Sequence, residues 1–342
     1  MLNILNKTVV LYLLMNIPFA HADMLEKEEV RIFMTEMVSK HGFAFEQLNS
    51  LFEQAEISST VLEAISRPAE DMPWYKYRRI FIRGDRIRLG VEFLEEHREI
   101  LMAVEKTYGV PVEIIVAIIG VETRFGRNAG NYKVINSLAT LAFNYPKRSK
   151  FFRSELEQFL LLTREQKLEP LAAKGSYAGA MGIPQFMPSS YRAYAVDYDK
   201  DGFIDIWNNP ADAIGSVANY LKVHGWQPDE SITCQVTAKS EKYKEILTTG
   251  LKPDMKILEL LDYGITAKFN LKFDNKAKLL NYELENGNEL WLGFDNFYVI
   301  TRYNHSALYA MAVYQLSQEI LKNRKSKSNF KQLMPNHREC VK

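Results

Sequence analysis

Glu122 closes the most apolar stretch of the chain, VEIIVAIIGVETRFG, which runs from Val112 to Gly126. A helix of this composition is buried nearly all round, and helical spacing puts Glu122 on the same face as Ile115, Ile118 and Ile119. A carboxyl group withdrawn from water keeps its proton to higher pH, which suits it to donate that proton near neutrality. A lone acid at a helix end beside Arg124 and Arg127 can equally be a structural ion pair, and on spacing alone that plainer reading stands ahead. The second constellation is DYDKDGFIDIW, from Asp197 to Trp207. Asp197, Asp199 and Asp201 occupy positions 1, 3 and 5 of an EF-hand-like loop, Gly202 makes the turn at position 6, and the Phe203 carbonyl and Asp205 follow at positions 7 and 9. Position 12, where such a loop carries a bidentate Glu, is Asn208. A calcium sensor, a structural metal clamp and a turn that merely resembles one all remain open.

Other chemistries find no support. The sequence has no G-x-S-x-G elbow, no phosphate-binding glycine loop and no H-E-x-x-H pair. A net charge of +1 gives no electrostatic case for nucleic acid, and the basic run Lys322 to Lys331 reads as a solvated tail. Two cysteines, Cys234 and Cys340, do not make a disulfide framework or a zinc site, and whether they pair is open.

The elements around these residues are mainly helical. Lys7, the apolar run Val9 to Ala20 and the triplet Ala20-His21-Ala22 predict a cleavable signal peptide over residues 1–22, hence export without a membrane anchor. Residues 23–100 read as an N-terminal helical region, with a long helix expected from Leu89 to Tyr108. Residues 101–226 hold the apolar helix, the connector GSYAGAMGIPQFMPSSY, the acidic loop and the helix DAIGSVANYLKVHG. Over residues 227–301, AKFNLKF, KLLNYEL and ELWLGFD with a turn at Glu285 to Asn288 predict strands of a small mixed α/β subdomain. A helix over 302–322 returns to the core, and residues 323–342 form the basic tail. The fold class expected is mainly α (α+β).

The segments VETRFGRNAGNYKVINSLATLAFNYPKR, GSYAGAMGIPQFMPSSYRAYAVDYDKDGFIDIW and DAIGSVANYLKVHGW, with RYNHSALYAMAVYQL later, together resemble the lytic murein transglycosylase B family. The resemblance implies a lysozyme-like helical catalytic core and cleavage of peptidoglycan glycan strands in the periplasm. It assigns the acid/base to Glu122, which reverses the preference for an ion pair. Glycosidases normally use two carboxylates; the family chemistry uses one, with the substrate acetamido group supporting the cationic centre and the muramyl 6-hydroxyl closing onto C1. Ser176, Gln185, Tyr77, Tyr220, Tyr303, Asn304 and Tyr309 are implied to line the cleft, and Lys147 and Arg148 to meet the acidic stem peptide.

The resemblance also offers Asp212 in place of the missing position-12 ligand. The metal set expected is therefore Asp197, Asp199, Asp201, Phe203 and Asp212, with Asp205, holding a structural calcium ion (Ca2+). No cysteine stands beside the leader, so a soluble, non-lipoprotein member is expected. A monomer is expected, with cell-wall synthases or scaffolds as candidate partners. A hydrolytic muramidase and a non-catalytic calcium-dependent wall-binding protein are the alternatives, distinguished by products: reducing ends, or none, instead of 1,6-anhydro ends.

Overall fold

The computed structural model describes residues 24–66, 72–266 and 274–327. The predicted signal peptide, the AKFNLKF strand and residues 328–342 of the tail, with Cys340, lie outside the described residues; residues 323–327, expected in the tail, continue the last helix, and Cys234 is buried. No described helix is long and apolar enough to cross a membrane.

Backbone contacts divide the chain at Ile57/Ser58. In the first unit, α1 (Glu28–His41) ends at Gly42, whose φ of 65° is the left-handed cap that glycine adopts without strain. Helix α2 (Phe45–Gln54) follows, and Phe33 meets Phe52 edge-on at 6.1 Å.

The second unit opens with α3 (Ser59–Ile65), α4 (Trp74–Phe81), α5 (Gly84–Glu96) and α6 (Arg98–Tyr108). The single helix expected from Leu89 to Tyr108 is therefore two. The break is at His97, which leaves helical geometry (φ −106°, ψ 23°) with no glycine or proline beside it.

Helix α7 (Val112–Thr123) is the axis of the unit, with Ile114, Ile115, Val116, Ala117, Ile118 and Ile119 all fully buried. Around it stand α8 (Val134–Asn144), α9 (Ser149–Glu165), α10 (Pro188–Tyr194) and α11 (Pro210–Val223). A two-stranded ribbon pairs β1 (Tyr132–Lys133) with β2 (Lys174–Gly175).

The small subdomain is a five-stranded antiparallel sheet of β3 (Thr233–Ala238), β4 (Met255–Lys256), β5 (Ile265–Thr266), β6 (Lys276–Glu283) and β7 (Asn288–Gly293), in the order β4-β6-β7-β3-β5. One face, with Val236, Ala277, Leu279, Leu290 and Leu292, makes a core of its own with Leu260 of α12 (Ile257–Asp262) and Tyr243. The chain then returns through α13 (Asp295–Tyr303) and α14 (Ala307–Lys327) to pack on α7.

Candidate active site

Glu122 lies in the last turn of α7, where the negative end of the helix dipole opposes a carboxylate. Beyond it Arg124, Phe125 and Gly126 take φ of 52°, 63° and 77°, three left-handed residues in succession. The turn folds the Phe125 ring back against Gly120, where an added Cβ would lie 2.6 Å from it. It also sends Arg124 to Asp85, at 2.6 Å. The ion pair considered with Arg124 is thus not formed. The partner of Glu122 is Tyr309, 187 residues away, whose hydroxyl donates to Oε1 at 2.7 Å.

Burial pushes the Glu122 carboxyl up to about 7, against the opposing pull of the Tyr309 hydrogen bond. Its charge in turn helps hold Tyr77, Tyr303 and Tyr309 protonated, on top of their own burial; Tyr77 is pushed up to about 12. Three phenols that stay donors therefore lie within electrostatic reach of one acid, and Tyr309 bonds it directly. Tyr303 and Tyr309 stack 6.4 Å apart with rings within 8° of parallel, and Tyr220 approaches Tyr303 at 4.8 Å. The Tyr220 hydroxyl donates to Arg302 O, and its ring stacks at 4.0 Å on His224 one helical turn on, a pairing that the i,i+4 spacing could have shown.

Tyr309→Phe removes the single interaction that favours the Glu122 anion. The alkaline limb of turnover is expected to move to higher pH, which a pH–rate profile measures. An unmoved limb would mean that this bond does not govern the acid.

The connector is fastened beside Glu122 from both sides. Thr123 Oγ1 donates to Ile183 O at 2.9 Å, and the Tyr303 hydroxyl donates to Pro184 O at 2.6 Å. Thr123, next to the acid, was missed in the sequence because a threonine at a helix end carries no distinguishing pattern. Gln185 sits in left-handed geometry (φ 54°), and its Nε2 donates to Ala129 O and Gly182 O at 3.0 and 2.9 Å. Its amide oxygen is left to accept from a ligand. Ser176 Oγ accepts from the N–H groups of Ala178 and Ala180, which leaves its proton to donate.

Asn304 is exposed at the end of α13, beside Tyr303. Lys147 and Arg148 stand apart on a 3-10 turn at the start of α9, with the Arg148 guanidinium 4.3 Å from the centre of the Phe151 ring. The other buried acid facing the connector, Glu155, is committed to Ser189 N and Oγ at 2.9 and 2.7 Å.

The acidic loop brings carboxylate oxygens of Asp197, Asp199 and Asp212 within 4.8 Å of one another. Asp212 is fully buried and accepts from Tyr198 N and Asp205 N, both at 2.8 Å. Outside that trio, the Asp201 carboxylate accepts from Phe203 N, and that of Asp205 caps Trp207 N and Asn208 N at 2.9 Å. Converging hard oxygens on a turn with Gly202 at φ 95° fit a divalent cation of the calcium type.

The loop is tied to the connector by Ile183 N to Ile206 O at 2.8 Å and by Trp207 Nε1 to Lys174 O at 2.9 Å. Gly182 (φ 65°) closes the joint, because a Cβ there would fall 2.5 Å from Ile206 O. Gly182→Ala is expected to cost about 3 kcal/mol in urea unfolding, from left-handed strain plus overpacking. A loss within about 0.5 kcal/mol, the range of ordinary surface changes, would show that the joint yields.

Comparison with known proteins finds a family match and close relatives. Residues 26–318 match the family described as the transglycosylase SLT domain. The chain is 42% identical over 308 residues to the membrane-bound lytic murein transglycosylase B of Escherichia coli, covering 87% of this chain and 84% of that protein. The soluble lytic transglycosylase SltB1 of Pseudomonas aeruginosa superposes with a TM-score of 0.83 at 52% identity, over 87% of this chain and 99% of that one. The Escherichia coli lytic transglycosylase Slt35 in complex with calcium gives a TM-score of 0.82 at 43% identity, over 89% and 96%.

Proposed function

This chain belongs to the lytic murein transglycosylase B family, and on that premise we propose that Glu122 is the single acid/base with which it cleaves peptidoglycan glycan strands. The enzyme is a lytic transglycosylase, a non-hydrolytic lyase of the bond between N-acetylmuramic acid and N-acetylglucosamine. The observation that carries the assignment is one carboxyl group raised to about 7, within electrostatic reach of three protonated tyrosines.

Protonated Glu122 gives its proton to the glycosidic oxygen, and the C1–O bond breaks with N-acetylglucosamine leaving as the alcohol. The substrate's acetamido oxygen supports the positive charge at C1. The muramyl 6-hydroxyl then passes its proton to the Glu122 carboxylate, and O6 bonds to C1. The 1,6-anhydro end forms, the acid is restored, and no water is consumed.

In this reading the free proton of Ser176 and the amide oxygen of Gln185 hold sugar hydroxyl and acetamido groups. Tyr77, Tyr220, Tyr303 and Tyr309, with Asn304, offer ring faces and polar handles to the pyranoses. Lys147 and Arg148 meet carboxylates of the stem peptide. Asp197, Asp199 and Asp212 would hold a calcium ion, with Asp201, the Phe203 carbonyl and Asp205 as further ligands; the ion would brace the loop and take no chemical step. The site of action is the periplasm. Mass spectrometry of muropeptides released from purified sacculi by wild type and Glu122→Gln tests the acid, and wild-type release by the variant would refute it.

A further inference from the structure

The β6–β7 hairpin buries residues on both faces, which a sheet with one face in solvent would not. Residues 277, 279, 290 and 292 fill the subdomain's own core. The opposite face carries Tyr282 directly across from Glu289, and Leu280 across from Trp291. Each anchor on that face reaches an element that supplies a tyrosine to Glu122. Glu289 Oε1 accepts from the indole N–H of buried Trp74 at 3.0 Å, and the Trp74 ring packs on Tyr282 at 5.2 Å. Trp74 begins the helix that carries Tyr77, and the two rings stack at 6.3 Å. The fully buried Tyr282 donates its hydroxyl proton to Ala307 O at 3.0 Å, at the first residue of the helix that carries Tyr309. Trp291 meets Tyr314 of the same helix edge-on at 6.1 Å. Strand β7 runs through Phe294 straight into α13, which ends at Tyr303.

We propose that this outer face of the β subdomain is a positioning element for the reaction: through Tyr282, Trp74 and Glu289 it sets the places of Tyr77, Tyr303 and Tyr309 around Glu122. The three phenols come from helices far apart in sequence, and the sheet abuts or continues each of those helices. Tyr282 acts through Ala307 and Tyr309, Trp74 through Tyr77. Neither touches the acid. The proposal rests on Glu122 as the acid, and the test separates the two.

Steady-state turnover on sacculi across pH, with anhydro ends counted per folded molecule, compares wild type, Tyr282→Phe, Trp74→Phe, Glu122→Gln and Arg79→Ala. Arg79 makes only an exposed pair with Glu285 at the hairpin turn, and its loss is expected to leave turnover unchanged. Tyr282→Phe removes one oxygen from the protein. It is expected to lower kcat about five- to ten-fold with KM within about two-fold, since small misplacements of catalytic groups cost rate more than binding. Its alkaline limb is expected to move to higher pH, the direction given by Tyr309→Phe. Trp74→Phe is expected to lower kcat likewise. Wild-type kcat and limb in both variants, or losses that follow only the folded fraction, would overturn the positioning role while an inactive Glu122→Gln leaves the acid in place. Wild-type turnover in Glu122→Gln would overturn both.

Discussion

Glu122→Gln is expected to reduce the release of anhydromuramyl ends by about 10³-fold, the middle of the range for a lost general acid/base and about 4 kcal/mol of barrier. Gln keeps the shape of Glu, and its amide oxygen still accepts from the Tyr309 hydroxyl. What it lacks is the proton for the leaving oxygen and the basicity to collect one from O6. The loss should therefore fall on kcat, with KM close to wild type. The same variant has a second, opposite effect. A carboxyl raised from 4.5 to about 7 by folding penalises the native state once it must ionise. Below about pH 4.5 both states are protonated and the penalty is absent. It grows as pH rises from about 4.5 to 7 and is complete above. At 1.36 kcal/mol per unit, discounted for the partial exposure of Glu122, it is on the order of 2 kcal/mol. Glu122→Gln is thus expected to be more stable than wild type at pH 8 and equal to it near pH 4, by urea unfolding at both values. A variant inactive but no more stable at pH 8 would mean that the acid does not sit in a desolvated site.

The element holding Glu122 was legible because an all-round apolar run has few alternatives to a central helix. The strands of β6 and β7 and the turn between them were legible for the same kind of reason, in residue type and spacing. What local pattern could not show was direction. Arg124, adjacent in sequence, looked like a partner for Glu122, but the left-handed turn after α7 aims it at Asp85. The actual partner, Tyr309, comes from a helix 187 residues later. The corner at His97 was hidden because no glycine or proline stands there to mark it. The family resemblance named the cleft tyrosines. Only the structure shows their hydroxyl partners, and that Ser176 and Gln185 are each half committed to backbone, which fixes what each can offer a sugar.

Asp212→Ala is expected to cost about 2 kcal/mol even without metal. Two half-buried backbone donors, Tyr198 N and Asp205 N, would each lose a charge-assisted bond, at about 1 kcal/mol apiece, the low end of the cost of an unpaired donor. Urea unfolding in chelator measures this part, and a loss below about 1 kcal/mol would mean that water replaces both bonds. The metal part adds to it. With calcium at about 100 times its dissociation constant, the wild type gains about 2.7 kcal/mol that the variant, lacking a central carboxylate of the trio, cannot gain. Wild-type Tm should then rise with added calcium and that of Asp212→Ala should not. A wild-type Tm indifferent to chelation would show that the turn is held by its own backbone bonds and that no cation belongs there. Because Ile206 and Trp207 fasten this loop to Ile183 and Lys174, the effect reaches the cleft by a defined route. Loosening the loop frees the connector that carries Ser176 and Gln185, while Glu122 and Tyr309 stand on α7 and α14 and keep their bond to each other. Calcium removal is therefore expected to raise KM for glycan strands and to leave the pH of the alkaline limb where it was.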